Sequence, residues 1–75
     1  MIYHHGALVF DLKREEYYFF EMKFNSHAMS VRIPDSFVGV DSRGKPIPEL
    51  QMRWNSDIRE ATPEERTAFK LMGVK

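Results

Sequence analysis

Alternating apolar and polar positions predict strands along much of the chain, and residues 17–24 form the most aromatic of them. This stretch holds five of the ten aromatic residues and contains neither Gly nor Pro. Aromatic side chains favour the half-buried surface of a pleated strand, whose successive side chains point to opposite faces. Even-numbered positions here are all apolar, whereas odd-numbered ones run from aromatic to charged. We therefore predict a central strand with its even face in the core.

Residues 8–12 and 28–33 alternate in the same way and predict the two neighbouring strands of a three-stranded meander. The charged run 13–16 predicts a solvated turn between the first two strands. If the apolar residues of the first and central strands share one face, the residue numbers of each opposed pair sum to an even number. Between the central and third strands, matching Met22 with Val31 gives an odd sum. The same register places Arg32 opposite Glu21 as a cross-strand ion pair. The predicted core face is Leu8, Phe10, Leu12, Phe20, Met22, Phe24, Met29, Val31 and Ile33, and Tyr18 is placed near the margin of the opposite face.

After the meander, prolines and glycines divide the chain into shorter pieces. Residues 34–36 are predicted to end the third strand, and 37–40 to form another short strand. Asp at the first position and Gly at the fourth predict a type I turn at 41–44. Pro46 and Pro48 restrict the following segment to a sheet edge, because proline lacks an N–H donor. Residues 50–54 fit either a strand or a helix, and their alternation favours a strand.

A helix is predicted near the C-terminus. Thr62, Pro63 and Glu65 form a capping box with proline in the first helical position. Gly73 is placed to end the helix, with Val74 contacting Phe69 in a Schellman motif. Such a short helix is marginal alone and must dock on the sheet, for which the apolar core face is predicted. The docking face comprises Glu65, Ala68, Phe69 and Met72.

These elements predict one α+β domain spanning residues 1–75. Its architecture is a small antiparallel β-sheet, with a three-stranded meander plus one or two further strands, and a C-terminal α-helix packed on one face. A chain of this length buries only about 60–65% of its unfolded surface, so the predicted core is small.

Composition narrows the function. Eleven basic residues balance eleven acidic ones, so the chain has no general electrostatic attraction to nucleic acid. Low net charge also favours association with itself or with a partner. There is no cysteine, which excludes disulfides and thiolate zinc sites. Without a signal-like start or an apolar run of about 18 residues, we expect a cytoplasmic protein with no membrane association.

Candidate catalytic and metal-binding groups are sparse. His4 and His5 are adjacent and would point to opposite faces of a strand, so they do not form a metal site together. The serines lack a Gly-x-Ser-x-Gly context, and the glycines are too dispersed for a phosphate-binding loop. Paired glutamates at 15–16 and 64–65 fit a solvated turn and a helix start. We predict no enzymatic activity, cofactor or metal.

The predicted functional surface is the odd face of the meander. It leaves Val9, Tyr17 and Phe19 exposed, with Lys23 and Arg32 nearby. An aromatic centre with a charged rim is typical of a protein interface. These five residues predict a non-enzymatic protein–protein interaction module of inhibitor or adaptor type. Inhibitors encoded by phages and mobile elements are a common class of such small proteins, although no particular residue of this chain indicates that origin. No family motif is recognisable.

Three alternatives remain. Aromatic and basic side chains on one sheet face also bind single-stranded nucleic acid, although Glu21 and the neutral charge weigh against it. A homodimer could form through this face or through a strand edge. Residues 37–54 could instead fold back over Tyr17 and Phe19 and make them a second core layer.

Overall fold

In a computed structural model, which describes residues 3–72, the chain forms a five-stranded antiparallel sheet and one helix. The strand order is β4-β3-β2-β1-β5. The elements are β1 (Leu8–Asp11), β2 (Glu16–Lys23), β3 (Ala28–Val40), β4 (Pro46–Trp54), a 3₁₀ turn (Asn55–Asp57), β5 (Ile58–Glu60) and α1 (Pro63–Leu71). The predicted α+β class is confirmed.

The sheet is strongly curled. Strands β4 and β5 are opposite edges, which in a flat five-stranded sheet would lie about 19 Å apart. Only the three residues of the 3₁₀ turn connect them, and such a turn rises about 2 Å per residue. The turn is held to both sides: the Asn55 N–H donates to the His27 carbonyl at 2.8 Å, and the Leu12 N–H to the Asp57 carbonyl at 2.8 Å. The two edges therefore approach one another around the core.

The core lies on the inner, concave face of the curl. Its buried residues are Val9, Tyr18, Phe20, Met29, Val31 and Ile58, with Tyr3, Ala7 and Ile33 packed partly against them. The predicted even face of the central strand thus supplies the core through Tyr18 and Phe20, and the third strand through Met29 and Val31. The short strand β5 was not predicted, and it contributes Ile58.

The register predicted between β1 and β2 is wrong. Leu8 lies opposite Phe19 and Val9 opposite Tyr18, so the sum of opposed numbers is odd. The reason is a loop of four residues, in which Glu15 takes a left-handed conformation with φ 56°. The Asp11 carboxylate fixes this loop by accepting hydrogen bonds from the backbone N–H groups of Lys13 and Arg14. Val9 therefore lies in the core, while Leu8 and Phe10 lie on the outer face and Leu12 is exposed in the loop.

The register predicted between β2 and β3 is also wrong. Arg32 lies opposite Phe19 rather than Glu21. Next to the turn, Lys23 already pairs with Met29 and not with Ser30, and a bulge at Glu21 shifts the register by one more residue. One extra residue in a strand moves every following side chain of that strand to the opposite face of the sheet. Met22 and Phe24, predicted to be core residues, therefore lie on the outer face and are exposed.

The third strand does not end at residues 34–36. It continues to Val40 through an irregularity at Asp35, whose φ is 56°. The predicted turn at 41–44 is present, with the Gly44 N–H donating to the Asp41 carbonyl at 3.0 Å. Residues 46–54 form the edge strand β4, as predicted. Because β4 lies beside β3 in the sheet, residues 37–54 do not fold back over the outer face.

Helix α1 begins as predicted, with the complete capping box between Thr62 and Glu65. It packs on the outer face, however, and not on the predicted core face. The Phe69 ring lies 5.6 Å from the ring of Tyr17 and 5.7 Å from that of Phe19, between centroids. The outer face is also apolar at this end, because the β1 register adds Leu8 and Phe10 to Tyr17 and Phe19. The predicted Schellman contact lies outside the described residues.

Within residues 3–72, no helix is long and apolar enough to span a membrane.

Candidate protein-binding surface

The structure does not bring the five predicted site residues together. Val9 is fully buried in the core. Tyr17 and Phe19 are half-buried beneath Phe69, which corrects the prediction that they form the exposed surface. Lys23 is exposed at the end of β2, opposite the core residue Met29, and so on the other face from Phe19. Arg32 is half-buried on the outer face.

A polar cluster holds α1 over the Tyr17 end of the sheet. The Tyr17 hydroxyl donates to Glu65 Oε2 at 2.6 Å, and Arg59 donates to both Glu65 oxygens at 2.7 and 2.9 Å. The Arg59 bonds, with those from Thr62 and Tyr17, hold the pKa of the Glu65 carboxyl well below its usual range. The same bond to Glu65 raises the pKa of Tyr17. This end of the outer face is therefore closed.

The other end of the outer face is open. We call its five large apolar side chains the outer platform: Met22, Phe24, Leu50, Met52 and Trp54. Their exposed fractions are 60%, 65%, 48%, 45% and 63%, respectively. They come from β2, from β4 and, for Phe24, from the position directly after β2. Exposure of this extent, concentrated on one sheet face, marks an interaction surface more often than scattered single residues do.

Strand β3 passes through the middle of the outer platform with small side chains. Met52 lies opposite Ser30, as Met22 does from the other side. Trp54 lies opposite Ala28, and the Phe24 N–H donates to the Ala28 carbonyl at 3.1 Å. Large side chains thus flank a line of small ones, which leaves a groove over β3. At its Ala28 end is a cavity of about 220 Å³ lined by Ala28, Met52, Arg53 and Trp54.

The free edge of β4 borders the outer platform. Because the Asn55 N–H points to β3, strand alternation directs the N–H and carbonyl groups of Leu50, Met52 and Trp54 away from it. Pro46 and Pro48 occupy equivalent positions nearer the hairpin turn, where a missing donor costs no ladder bond. The Met52 carbonyl accepts from Arg53 Nη1 at 2.8 Å. The edge therefore offers both donors and acceptors to another strand at Leu50 and Trp54.

A buried charged cluster lies on the inner face, around Asp11. This fully buried carboxylate accepts from the Tyr18 hydroxyl at 3.0 Å, and Arg53 Nε lies 3.4 Å from it. Burial would raise the pKa of Asp11, but the N–H groups of Arg14 and Lys13 and the Tyr18 hydroxyl together lower it. Burial raises the pKa of Tyr18 to about 12. Since the carboxylate is fully hydrogen-bonded, we assign it a structural role, joining β1 to β4 across the curl.

Sequence reasoning missed both the outer platform and Asp11. Alternation marked Met22 and Phe24 as apolar, but only the bulge at Glu21 decides their face. The signal for Asp11 was present: an Asp followed by a polar turn often caps that turn through its side chain. Within residues 3–72, no three His, Asp or Glu side chains are grouped as a metal site would require.

Comparison with protein families, with curated proteins and with solved structures finds no match to this chain.

Proposed function

We propose that this protein is a small protein–protein interaction module that binds its partner through the outer platform. The observation that carries the proposal is the exposure of five large apolar side chains on one sheet face, on either side of the small residues of β3. Burying apolar surface stabilises a complex by roughly 25 cal/mol per Å² before association costs. The groove over β3 gives this surface its shape, and the free edge of β4 supplies backbone hydrogen-bond donors and acceptors beside it.

Such a module acts by occupying or bridging another protein, as an inhibitor or an adaptor. The groups with strongly shifted pKa values, Tyr18 and Glu65, are held by partners within the fold. They support the sheet and the helix instead of facing a substrate. A cytoplasmic setting fits a chain without cysteine. Of the residues predicted from sequence, Arg32 borders the outer platform directly, because it lies opposite Leu50.

A single-stranded nucleic acid is the second candidate, since Phe24 and Trp54 are exposed aromatics that bases could stack on. The composition of the outer platform favours a protein. Three of its five side chains are Met or Leu, which add apolar area but no stacking surface. A second copy of the chain is a further candidate partner, because β4 is a long free edge strand.

The first test is photo-crosslinking from the outer platform. We expect a photo-crosslinking amino acid at Met52 to capture a partner protein, and the same group at Lys13, in the distant β1–β2 loop, to capture none. Phe24→Thr should abolish that capture, whereas Leu71→Thr on exposed α1 should preserve it. Equal capture from Met52 and Lys13 would contradict the proposal.

The second test distinguishes the other two partners, with Trp54, the only tryptophan, as a fluorescent probe in the outer platform. A homodimer would double the mass measured by light scattering at the higher of two concentrations, and Trp54 emission would shift to shorter wavelength. Titration with a single-stranded oligonucleotide identifies nucleic acid through quenching of Trp54. Quenching that is lost in Phe24→Thr, with no protein captured at Met52, would replace the proposed function by the nucleic-acid one.

A further inference from the structure

A second concave feature lies on the outer face between α1 and the sheet, next to the outer platform. We call this cavity of about 370 Å³ the basic pocket. Its apolar walls are formed by Leu8, Phe19 and Phe69. Its polar lining is formed by Arg32, Arg66 and Lys70. All three of these side chains are cationic, and among the described residues no Asp or Glu lines the pocket.

Arg32 is the most informative residue of the basic pocket. Its guanidinium carbon lies over the Phe19 ring, 4.9 Å from the ring centre. Its Nε is buried and has no hydrogen-bond partner within the described residues. A buried donor without an acceptor is unusual in a folded protein, and a ligand that supplies the acceptor removes the cost. Arg32 thus points to an anionic group that is absent from the isolated chain.

The other two cations are available to the same anion. Arg66 contacts Glu60 at 3.4 Å, and both of these side chains are about half exposed, so the pair is weak and exchangeable. Lys70 forms no ion pair within residues 3–72 and lies on the last turn of α1. A planar arginine plus a flexible lysine is a combination that binds carboxylates well.

The strand register places the basic pocket in line with the groove. Phe19, Arg32 and Leu50 form one cross-strand row, and the rows through Ser30 and Ala28 lie two and four residues before Arg32 in β3. Rows two residues apart are separated by about 7 Å. Alternate side chains of an extended peptide have the same spacing, so such a peptide lying over β3 would place successive inward-facing side chains over successive rows.

We propose that the basic pocket binds an Asp or Glu side chain of the partner segment that lies on the outer platform. This inference rests on the proposed function and specifies the partner's chemistry. Two apolar residues two positions apart would fill the groove, and an acidic residue two positions further, at either end, would reach Arg32. The apolar walls favour a carboxylate on an aliphatic stem over a phosphate, which keeps its hydration more strongly.

The test uses ¹⁵N-labelled protein and blocked peptides whose only charge is one glutamate. The probes are acetylated and amidated Leu-Ser-Leu-Ser-Glu, the reversed sequence Glu-Ser-Leu-Ser-Leu, and the two matching peptides with Gln in place of Glu. We expect one Glu peptide to shift the Arg32 Nε–H signal and to bind about tenfold more tightly than its Gln twin. Lys70→Gln should reduce that ratio, whereas Lys13→Gln should leave it unchanged.

The outcomes separate this proposal from the proposed function. Equal binding of Glu and Gln peptides, with shifts at Met22 and Met52, would overturn the pocket's role and keep the outer platform as a binding surface. A failure of all four peptides to move the Arg32 signal also overturns it, while crosslinking from Met52 still tests the outer platform. A larger Arg32 shift with inorganic phosphate or an oligonucleotide would assign the pocket to phosphate. Arg32→Gln is a weaker test because it also removes the Phe19 contact.

Discussion

The two ends of β2 are built from similar residues but have different surroundings. At one end, Tyr17 and Phe19 are covered by Phe69, and Tyr18 is sealed in the core beside Asp11. At the other end, Met22 and Phe24 are more than half exposed. The hydrophobicity of these side chains does not explain the contrast, since Met22 and Phe24 are no more polar than Tyr17 and Phe19.

Neighbouring elements and one bulge explain it. Strand β1 begins at Leu8, opposite Phe19, and runs back to Asp11, opposite Glu16, so only the first half of β2 has β1 on one side and α1 above. The bulge at Glu21 then turns Met22 to the outer face, where α1 does not reach. The closed end is thus expected to determine stability and the open end to determine binding, which variants at the two ends can separate.

The largest effect is expected from Asp11→Asn at the closed end. The substitution removes the charge that Arg53 and Arg14 contact while leaving these cations in place. Removing one member of a buried charged cluster costs about 3 kcal/mol. Urea denaturation should therefore show a much lower midpoint. Asp57→Asn is the matched control, because the Asp57 side chain forms no hydrogen bond within residues 3–72; an equal loss in both variants would contradict the role assigned to Asp11.

The next largest effect is expected from Phe69→Ala, which removes the contact of α1 with Tyr17 and Phe19. Since Phe69 is only half-buried, we expect a loss of about 2 kcal/mol, below the ~3–5 kcal/mol of a fully buried Phe. Leu71→Ala on the same helix is the control, because Leu71 is 82% exposed and should change stability by less than about 0.5 kcal/mol. Comparable losses would show that α1 is not anchored through Phe69.

The sequence predicted the elements better than their faces. The capping box at Thr62, the turn at Asp41 and the edge position of β4 follow from short-range chemistry, and all three are present. Which face an apolar residue occupies depends on loop length and bulges, which alternation does not reveal.

A left-handed Glu15 and the extra residue at Glu21 were each enough to move side chains from one face to the other. The candidate surface consequently moved from Tyr17 and Phe19 to Met22 and Phe24, within the same eight-residue stretch.

A smaller, pH-dependent effect is expected from Glu65. Its pKa is lowered in the folded protein by Arg59, Thr62 and Tyr17, compared with about 4.3 in the unfolded chain. The unfolded state therefore binds the proton more readily, so this contribution is complete above about pH 5 and is lost as the pH falls. Asp11 and Glu49, whose pKa values are also lowered, add to the same acid limb.

Glu65→Gln should lower the thermal midpoint at pH 7 and make it less dependent on pH between about 5 and 2. The neighbouring Glu64→Gln serves as the control and should follow the parent protein. Thermal unfolding across this range measures both. If Glu65→Gln and the parent lose the same midpoint between these pH values, the carboxylate does not hold α1 through its charge.

The smallest effect on stability is expected at the open end, from Phe24→Thr and Trp54→Thr. Both side chains are more than 60% exposed, and threonine suits a strand, so each change should cost less than about 1 kcal/mol. Binding should respond in the opposite order, because large aromatic residues contribute most at protein interfaces. Urea midpoints and crosslinking yields from Met52, measured on the same samples, place each variant on both scales. If the urea midpoint and the crosslinking yield fall together in these variants, the open end contributes to the fold. The two ends of β2 would then not differ in their contributions to stability and binding.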